Sequence, residues 1–209
     1  MTTILFDLDG TLIDSTEAIL ESFEQSFGSF DMKTPDDELI KSLIGYPLDI
    51  MYAKLGVQVQ MIDEIINRYK KHYRKISREK TALLPYAKEA LEEAGRFATL
   101  GIVTTKTKRY SVELLEHMEI MKHFEVLIGR EDVQNPKPHP EPVIKALSEL
   151  KAQKEDAWMI GDTKMDLQSA KSAGINSIGV TCGYGSENEL KSFTKNVYKN
   201  SYDAVKSIK

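Results

Sequence analysis

Residues 3–11 read TILFDLDGT, a short apolar run followed at once by two aspartates, Asp7 and Asp9. A run of this length without polar alternation is typical of a parallel strand that is buried on both faces. Ligands of open parallel sheets bind at the carboxyl ends of the strands, which is where these aspartates lie. The segment therefore predicts the first strand of a parallel sheet and the beginning of a polar site.

Four more apolar runs follow in the second part of the chain, and amphipathic stretches with helical spacing separate them. The runs are residues 99–103, 124–128, 157–160 and 177–180, and polar or glycine residues follow each of them. Regular alternation of strands and helices favours a parallel sheet with helices on both faces. We predict an α/β fold with a Rossmann-like, three-layer core.

A helical block separates the first predicted strand from the others. Residues 34–80 show helical periodicity and no strand-like run. Because this block lies between two parts of one sheet, an insertion explains it best. We expect an all-helical inserted domain over residues 15–82 and a core domain made of residues 1–14 and 83–209.

A basic run lies inside this helical block. Residues 68–80 carry seven basic side chains and one acidic side chain, with Tyr69 and Tyr73 between them. A solvated helix face is the simplest interpretation. Binding of nucleic acid and attraction of an anionic substrate are two further interpretations that the run leaves open.

The composition favours a folded protein outside membranes. With 41% hydrophobic and 29% charged residues in 209 and a net charge of −4, the chain is too apolar for disorder. No apolar run approaches the roughly 18 residues of a membrane span, and the first residues lack the basic flank of a signal peptide. Cys182 is the single cysteine, so it can form neither an intrachain disulfide nor a cysteine zinc site. We expect a cytoplasmic location.

Polar side chains follow each of the predicted strands, at the edge where ligands bind. Besides Asp7 and Asp9, these candidates are Thr104, Thr105, Lys137, Asp162 and Asp166. Several carboxylates cannot stay ionised close together without a cation, and a set of oxygen ligands suits a hard ion such as Mg²⁺. Lys106 and His139 are expected to be structural or to face solvent.

The pair Asp7 and Asp9 suits phosphoryl transfer. Side chains two residues apart at a strand end point to the same side. One carboxyl group can then act as nucleophile and form an aspartyl-phosphate, while the other donates a proton. Thr104 and Lys137 can supply the hydrogen bonds and charge that the transferred phosphoryl group requires.

These residues, in this order, resemble the four motifs of the haloacid dehalogenase superfamily, whose members are mostly phosphatases. Residues 7–15 (DLDGTLIDS) are similar to the first motif, Thr104 to the second, Lys137 in the sequence KPHPEP to the third, and residues 161–166 (GDTKMD) to the fourth. The resemblance covers essentially the whole chain. It implies that the helical insertion is a cap domain of the first type.

The resemblance also implies a role for each acidic residue. Asp7 attacks phosphorus, and Asp9 protonates the leaving group and then activates water. Mg²⁺ is held by the Asp7 carboxylate, the Asp9 backbone carbonyl and Asp162, while Asp166 supports the water shell of the metal.

The phosphate group itself is assigned to Thr104, Thr105 and Lys137 by the same resemblance. Thr105 occupies a place where similar phosphatases often carry asparagine. Read from the residues alone, Lys137 could instead form a rigid surface turn between prolines, and Asp166 could simply favour the first turn of a helix.

The substrate is indicated only by closer resemblances. The opening motif, residues 42–48 and residues 183–186 are similar to phosphoglycolate phosphatases, although related pyrophosphatases and nucleotide phosphatases share much of this pattern. A β-phosphoglucomutase-like phosphosugar mutase would have the same core. A response-regulator receiver also uses aspartate, Mg²⁺, threonine and lysine, but it is a single short domain without a helical insertion.

We expect a small phosphorylated metabolite as partner, no nucleic acid, no membrane, and a monomer or homodimer.

Overall fold

The computed structural model describes all 209 residues and divides the chain into two units. The core unit comprises Met1–Asp14 and Leu83–Lys209, and the helical unit comprises Ser15–Ala82. The helical unit is thus an insertion into the chain of the core unit.

Parallel strands form the centre of the core unit. Six of the eight strands pair in the order β5-β4-β1-β6-β7-β8, and β2 pairs with β3 in a separate two-stranded sheet. Every pairing within the large sheet is parallel, which confirms the predicted α/β fold. The strands are β1 Thr2–Phe6, β2 Ile13–Asp14, β3 Ala82–Leu83, β4 Ala98–Val103, β5 Val126–Ile128, β6 Ala157–Gly161, β7 Asn176–Val180 and β8 Val197–Tyr198.

The apolar run that opens the chain lies in the middle of this sheet. Ile4, Leu5 and Phe6 are completely buried, because β4 and β6 flank β1 and helices cover both faces. Phe6 is in register with Ile102 on β4 and with Ile160 on β6. The residues that follow these three strands therefore emerge side by side at one edge.

Ten helices complete the two units. The first four belong to the helical unit and the other six to the core unit. The helices are α1 Thr16–Gly28, α2 Asp37–Lys41, α3 Leu48–Lys54, α4 Val59–Ile76, α5 Ala87–Ala94, α6 Lys108–His117, α7 Glu141–Leu150, α8 Lys164–Ala173, α9 Glu187–Lys191 and α10 Ser201–Lys206. None of them is both long enough and apolar enough to cross a membrane.

Helices α7 and α8 cover one face of the sheet. Their buried side chains share a core cluster with Leu5, Val103 and Met159. Because side chains alternate along a strand, Ile4 and Phe6 point to the opposite face, where they are buried as well. Both faces are therefore covered, as expected for a parallel sheet.

The helical unit has an aromatic core of its own. The ring of Phe23 on α1 lies 4.9 Å from that of Tyr52 on α3 and 5.1 Å from that of Tyr69 on α4. The hydroxyl groups of Tyr52 and Ser26 form a hydrogen bond of 2.6 Å. Such a cluster stabilises the packing of these short helices.

The basic run over residues 68–80 belongs partly to this core. Its tyrosines, Tyr69 and Tyr73, are buried and stack on each other, so their rings are not available as a platform for nucleic-acid bases. Lys80 lies 2.6 Å from Glu17 and 2.5 Å from Glu21, both on α1. Part of the basic charge is therefore neutralised within the helical unit.

Candidate active site

Three carboxyl groups meet at the carboxyl edge of the sheet. Asp7 follows β1, Asp162 follows β6, and Asp166 lies in the first turn of α8. One carboxylate oxygen from each lies within 4.8 Å of the others, and all three residues are buried. We call this set the acidic triad.

Lys137 places a positive charge next to the acidic triad. Its Nζ lies 2.5 Å from Asp166 Oδ1, 2.9 Å from Asp7 Oδ1 and 2.8 Å from the carbonyl oxygen of Val103. Only 1% of its side chain is exposed, which excludes the interpretation as a surface turn. One ammonium group against three carboxylates leaves an excess of negative charge when all are ionised.

Burial and this excess charge together raise the pKa values of Asp7 and Asp162. Burial, and then the neighbouring Asp166, raise the pKa of Asp7 to about 7, although Lys137 lowers it in part. Burial also raises the pKa of Asp162 well above its ordinary value, and the charges of Asp166 and Asp7 add to this. Burial alone would lower the pKa of Lys137, but Asp166 and Asp7 outweigh it and raise that pKa.

Asp7 has an oxygen that is suited to a further ligand. Asp7 Oδ1 is buried and accepts no hydrogen bond; its contact with Lys137 is an ion pair without hydrogen-bond alignment. A buried oxygen of this kind is costly unless a cation or a donor contacts it. Together with the excess negative charge and the all-oxygen donor set, it fits a hard divalent cation.

The carboxylate of Asp162 is held from both sides. Thr11 Oγ1 donates to its Oδ1 at 2.9 Å, and the backbone N–H of Tyr184 donates to its Oδ2 at 2.8 Å. Added Cβ atoms at Gly10 and Gly183 would lie only 2.3 and 2.1 Å from Oδ2. Glycine is therefore required at both positions for the backbone to approach Asp162.

Thr11 and Gly183 lie against the Asp162 carboxylate, a position that the sequence does not predict for either of them. Thr11 lies within the first motif but has no predicted role of its own, and the glycine pattern at residues 183–185 is too short to indicate a site by itself. The useful signal is the position of this glycine pattern, because it follows β7 at the same edge of the sheet.

Asp166 has a structural role as well as a place in the triad. Its Oδ2 accepts hydrogen bonds from the backbone N–H of Thr163 at 3.0 Å and from Thr163 Oγ1 at 2.8 Å, which caps the beginning of α8. Its Oδ1 contacts Lys137. Asp166 therefore lies in the first turn of α8, as one interpretation of the sequence expects, and it also contacts Lys137 within the acidic triad.

Asp9 lies outside the acidic triad and has a lysine of its own. Lys106 Nζ lies 2.9 Å from Asp9 Oδ1 and 3.0 Å from Asp9 Oδ2. The two side chains are only 11% and 14% exposed, respectively. Lys106 is expected from the sequence to be structural or to face solvent, and its shielded ion pair with Asp9 excludes the second of these alternatives.

The two threonines after β4 lie in the loop that leads to Lys106. Thr104 is buried, its backbone N–H donates to the carbonyl of Ile128 at 2.9 Å, and its Oγ1 accepts from the backbone N–H of Lys106 at 3.2 Å. Thr105 is half-buried directly after it. His139 is 52% exposed, in agreement with its expected role outside the chemistry.

Comparison with known proteins identifies the family. Residues 4–180 match the family of haloacid dehalogenase-like hydrolases. A phosphoglycolate phosphatase of Salmonella typhimurium is 31% identical, over 87% of this chain and 81% of the relative. The pyrophosphatase PpaX of Oceanobacillus iheyensis is 36% identical, over 91% of this chain and 88% of the relative.

A solved structure gives the same result. A haloacid dehalogenase-like hydrolase from Bacteroides fragilis superposes with a TM-score of 0.92 at 28% identity, over 97% of this chain and 98% of that chain. The chain belongs to the haloacid dehalogenase-like hydrolases. Within this class it is a phosphatase, which confirms the enzyme class predicted from the sequence.

We predict that Gly183→Ala lowers the free energy of unfolding of the core unit by about 1–3 kcal/mol, the usual cost of overpacking. The new Cβ would meet Asp162 Oδ2 at 2.1 Å and the carbonyl oxygen of Gly10 at 2.4 Å. Urea unfolding can be followed by the fluorescence of Trp158, which is the single tryptophan and lies on β6.

Gly95→Ala is the matched control in the same unit. Gly95 has an ordinary helical φ of −62°, and the nearest atom to an added Cβ is the carbonyl oxygen of Leu91 at 3.2 Å. We expect its stability to stay within about 1 kcal/mol of the wild type. Equal stability of the two variants would contradict the close approach at Gly183.

Proposed function

We propose that this chain is a Mg²⁺-dependent phosphatase that hydrolyses small phosphate monoesters through an aspartyl-phosphate on Asp7. The observation that carries this proposal is the acidic triad, in which a buried Asp7 oxygen without a hydrogen bond lies beside Asp162, Asp166 and Lys137. This arrangement combines a nucleophile, ligands for a metal and a fixed positive charge at one edge of the sheet.

The Asp7 and Asp162 carboxylates and the backbone carbonyl of Asp9 would hold Mg²⁺, with Asp166 supporting its water shell. The bound ion would neutralise charge on the phosphoryl oxygens and allow an anionic substrate to approach an ionised Asp7. Thr11 and the Tyr184 backbone already hold Asp162 in place. This part of the site therefore needs little reorganisation to bind a cation.

The reaction has two steps. In the first, an Asp7 carboxylate oxygen attacks phosphorus, the bond from phosphorus to the ester oxygen breaks, and Asp9 gives its proton to the departing oxygen. In the second, Asp9 takes a proton from water, the water oxygen attacks phosphorus, and the bond from phosphorus to Asp7 breaks. Inorganic phosphate leaves, and both aspartates return to their starting states.

The remaining residues of the site would bind the phosphoryl group. Lys137 places its charge next to Asp7, where negative charge develops during transfer. Thr104 and Thr105 follow β4, the neighbour of β1, and we assign their donor groups to the phosphate oxygens. We assign the helical unit, Ser15–Ala82, as a cap that admits substrate and excludes water.

We propose phosphoglycolate as the substrate and the cytoplasm as the location. The phosphoglycolate phosphatase relative supports this substrate, and the similarity to PpaX makes pyrophosphate the second candidate. A nucleotide phosphatase and a phosphosugar mutase stay predictions from the sequence, as do a monomer or homodimer and the absence of nucleic-acid and membrane partners.

Substrate preference can be tested directly. We expect kcat/KM for 2-phosphoglycolate to exceed the values for pyrophosphate and for nucleoside monophosphates, measured as phosphate release with Mg²⁺. A higher value for pyrophosphate would replace the first candidate by the second. Formation of an isomeric sugar phosphate from β-glucose 1-phosphate, without phosphate release, would instead indicate a mutase.

Asp7→Asn is expected to abolish turnover and the covalent intermediate, because an amide cannot form the acyl phosphate. Acid quenching with ³²P-labelled substrate should trap label on the wild type only. Borohydride reduces an aspartyl-phosphate to homoserine and releases its phosphate, so peptide analysis should then find homoserine at residue 7. Asp156→Asn is the control, since Asp156 is 56% exposed and pairs with the N-terminus. Turnover by the Asp7 variant, or label on another residue, would refute the proposal.

Binding of Mg²⁺ should weaken as the pH falls below about 7. The pKa of Asp7 in the metal-free protein is raised from 3.8 to about 7, so binding of the ion must displace a proton at lower pH. We expect the affinity to fall about tenfold between pH 8 and pH 6, and calorimetry in two buffers of different ionisation enthalpy should detect the released proton.

The raised pKa of Asp7 also predicts how the free energy of unfolding of the metal-free protein changes with pH. Between pH 3.8 and about 7 the folded carboxyl group keeps a proton that the unfolded chain has lost, so the metal-free protein should lose stability as the pH rises. Added Mg²⁺ should remove this loss. Affinity for Mg²⁺ that does not change with pH would contradict the assignment of Asp7 as a ligand.

A further inference from the structure

We infer that Lys106 is the positioning residue of Asp9, holding its carboxyl group where it gives a proton to the leaving group. This inference rests on the proposed function and adds a residue to it. The observation is the contact of one ammonium group with both carboxylate oxygens, at 2.9 and 3.0 Å, with both side chains largely shielded from solvent. Contact with both oxygens restricts rotation of the carboxylate as well as its displacement.

The backbone of Lys106 is itself fixed. Its N–H donates to Thr104 Oγ1 at 3.2 Å, and its carbonyl oxygen accepts from the backbone N–H of Arg130 at 3.0 Å. A lysine in a surface loop normally keeps its ammonium group in water and its side chain mobile. Lys106 is 11% exposed instead, so this loop presents the ammonium group to Asp9 in a defined position.

The two lysines of the site serve different carboxylates. Lys137 donates hydrogen bonds to Asp166 and to the Val103 carbonyl, and it forms an ion pair with Asp7. Asp9 receives its contact from Lys106, which comes from a different loop. Loss of Lys106 should therefore disturb Asp9 and leave the acidic triad unchanged.

The chemistry of the leaving group provides a specific test. An alkyl phosphate releases a strongly basic alkoxide and depends on a proton from Asp9, whereas p-nitrophenyl phosphate releases a stabilised phenolate that departs without one. The value of kcat/KM reports the steps up to and including the first irreversible one, which here is transfer to Asp7. A residue that positions the proton donor should therefore matter for alkyl esters and little for the aryl ester.

The experiment compares wild type and Lys106→Met on 2-phosphoglycolate, ethyl phosphate and p-nitrophenyl phosphate. We expect kcat/KM to fall about tenfold to a hundredfold for both alkyl esters, because a misplaced general acid loses part of its usual effect. For p-nitrophenyl phosphate we expect a change of less than about threefold. The affinity for Mg²⁺, measured by calorimetry, should not change.

Two variants serve as controls. Lys106→Arg keeps a cation that can contact both carboxylate oxygens and should recover much of the activity on alkyl esters. Lys108→Met removes a lysine two residues further along, which pairs with Asp132 at 3.1 Å and has a side chain that is 40% exposed. It should match the wild type on all three substrates.

A double-mutant cycle separates positioning from a general structural effect. If Lys106 acts through Asp9, then Lys106→Met should cause little further loss on alkyl esters in an Asp9→Asn background. The double variant also lacks both charges of the pair. It therefore keeps the test valid if Lys106→Met alone, which leaves Asp9 without this partner, folds poorly.

Three results would overturn the inference. Equal losses on alkyl and aryl esters would show that Lys106 supports the fold or the phosphoryl group. A loss confined to 2-phosphoglycolate would show that it binds the carboxylate of the substrate, and additive losses in the cycle would show that it acts independently of Asp9. Failure of the proposed function looks different, because the wild type would then form no phosphate on Asp7.

Discussion

The rest of the site depends on the contacts that the buried ammonium group of Lys137 makes. It contacts the last carbonyl group of β4, Asp7 after β1 and the first turn of α8. These three stretches are distant in sequence. Burial of carboxylates and a lysine is costly unless each charge is compensated. Lys137 compensates only part of the charge of the acidic triad, and this incomplete compensation is the physical reason to expect a divalent cation beside Asp7.

The sheet explains how these stretches meet. Because β1 lies between β4 and β6, the residues that follow the three strands share one edge, and the order of strands matters more than distance along the chain. The helical unit leaves this arrangement intact. The chain departs through β2 and returns through β3, which pair with each other, so the insertion adds a second unit without separating the strands of the core.

Sequence reasoning can predict residues placed by strand ends and fails for those placed by loops. Asp7 and Asp162 follow short apolar runs that form buried strands, so both are expected at the carboxyl edge of the sheet. The ion pair of Lys106 with Asp9 is not predicted, because the direction of the lysine side chain depends on the turn after Thr104, which no periodic pattern reveals. Gly183 escapes prediction because its role depends on the close approach of Asp162. The strands β2, β3 and β8 have two residues each, too few for a periodic signal.

In the proposed mechanism the two aspartates of the first motif need different surroundings, and in the structure Asp7 and Asp9 contact different groups. A nucleophile benefits from a closed site with a positive charge close by, and Asp7 is buried beside Lys137. A proton donor must reach an oxygen that enters and leaves with each substrate, and Asp9 is accordingly less buried than Asp7 and lies outside the triad. If one lysine contacted both groups, each movement of the proton donor would disturb the nucleophile. Separate lysines from separate loops avoid this coupling, so the roles proposed for Asp7 and Asp9 can differ although the two residues lie only two positions apart.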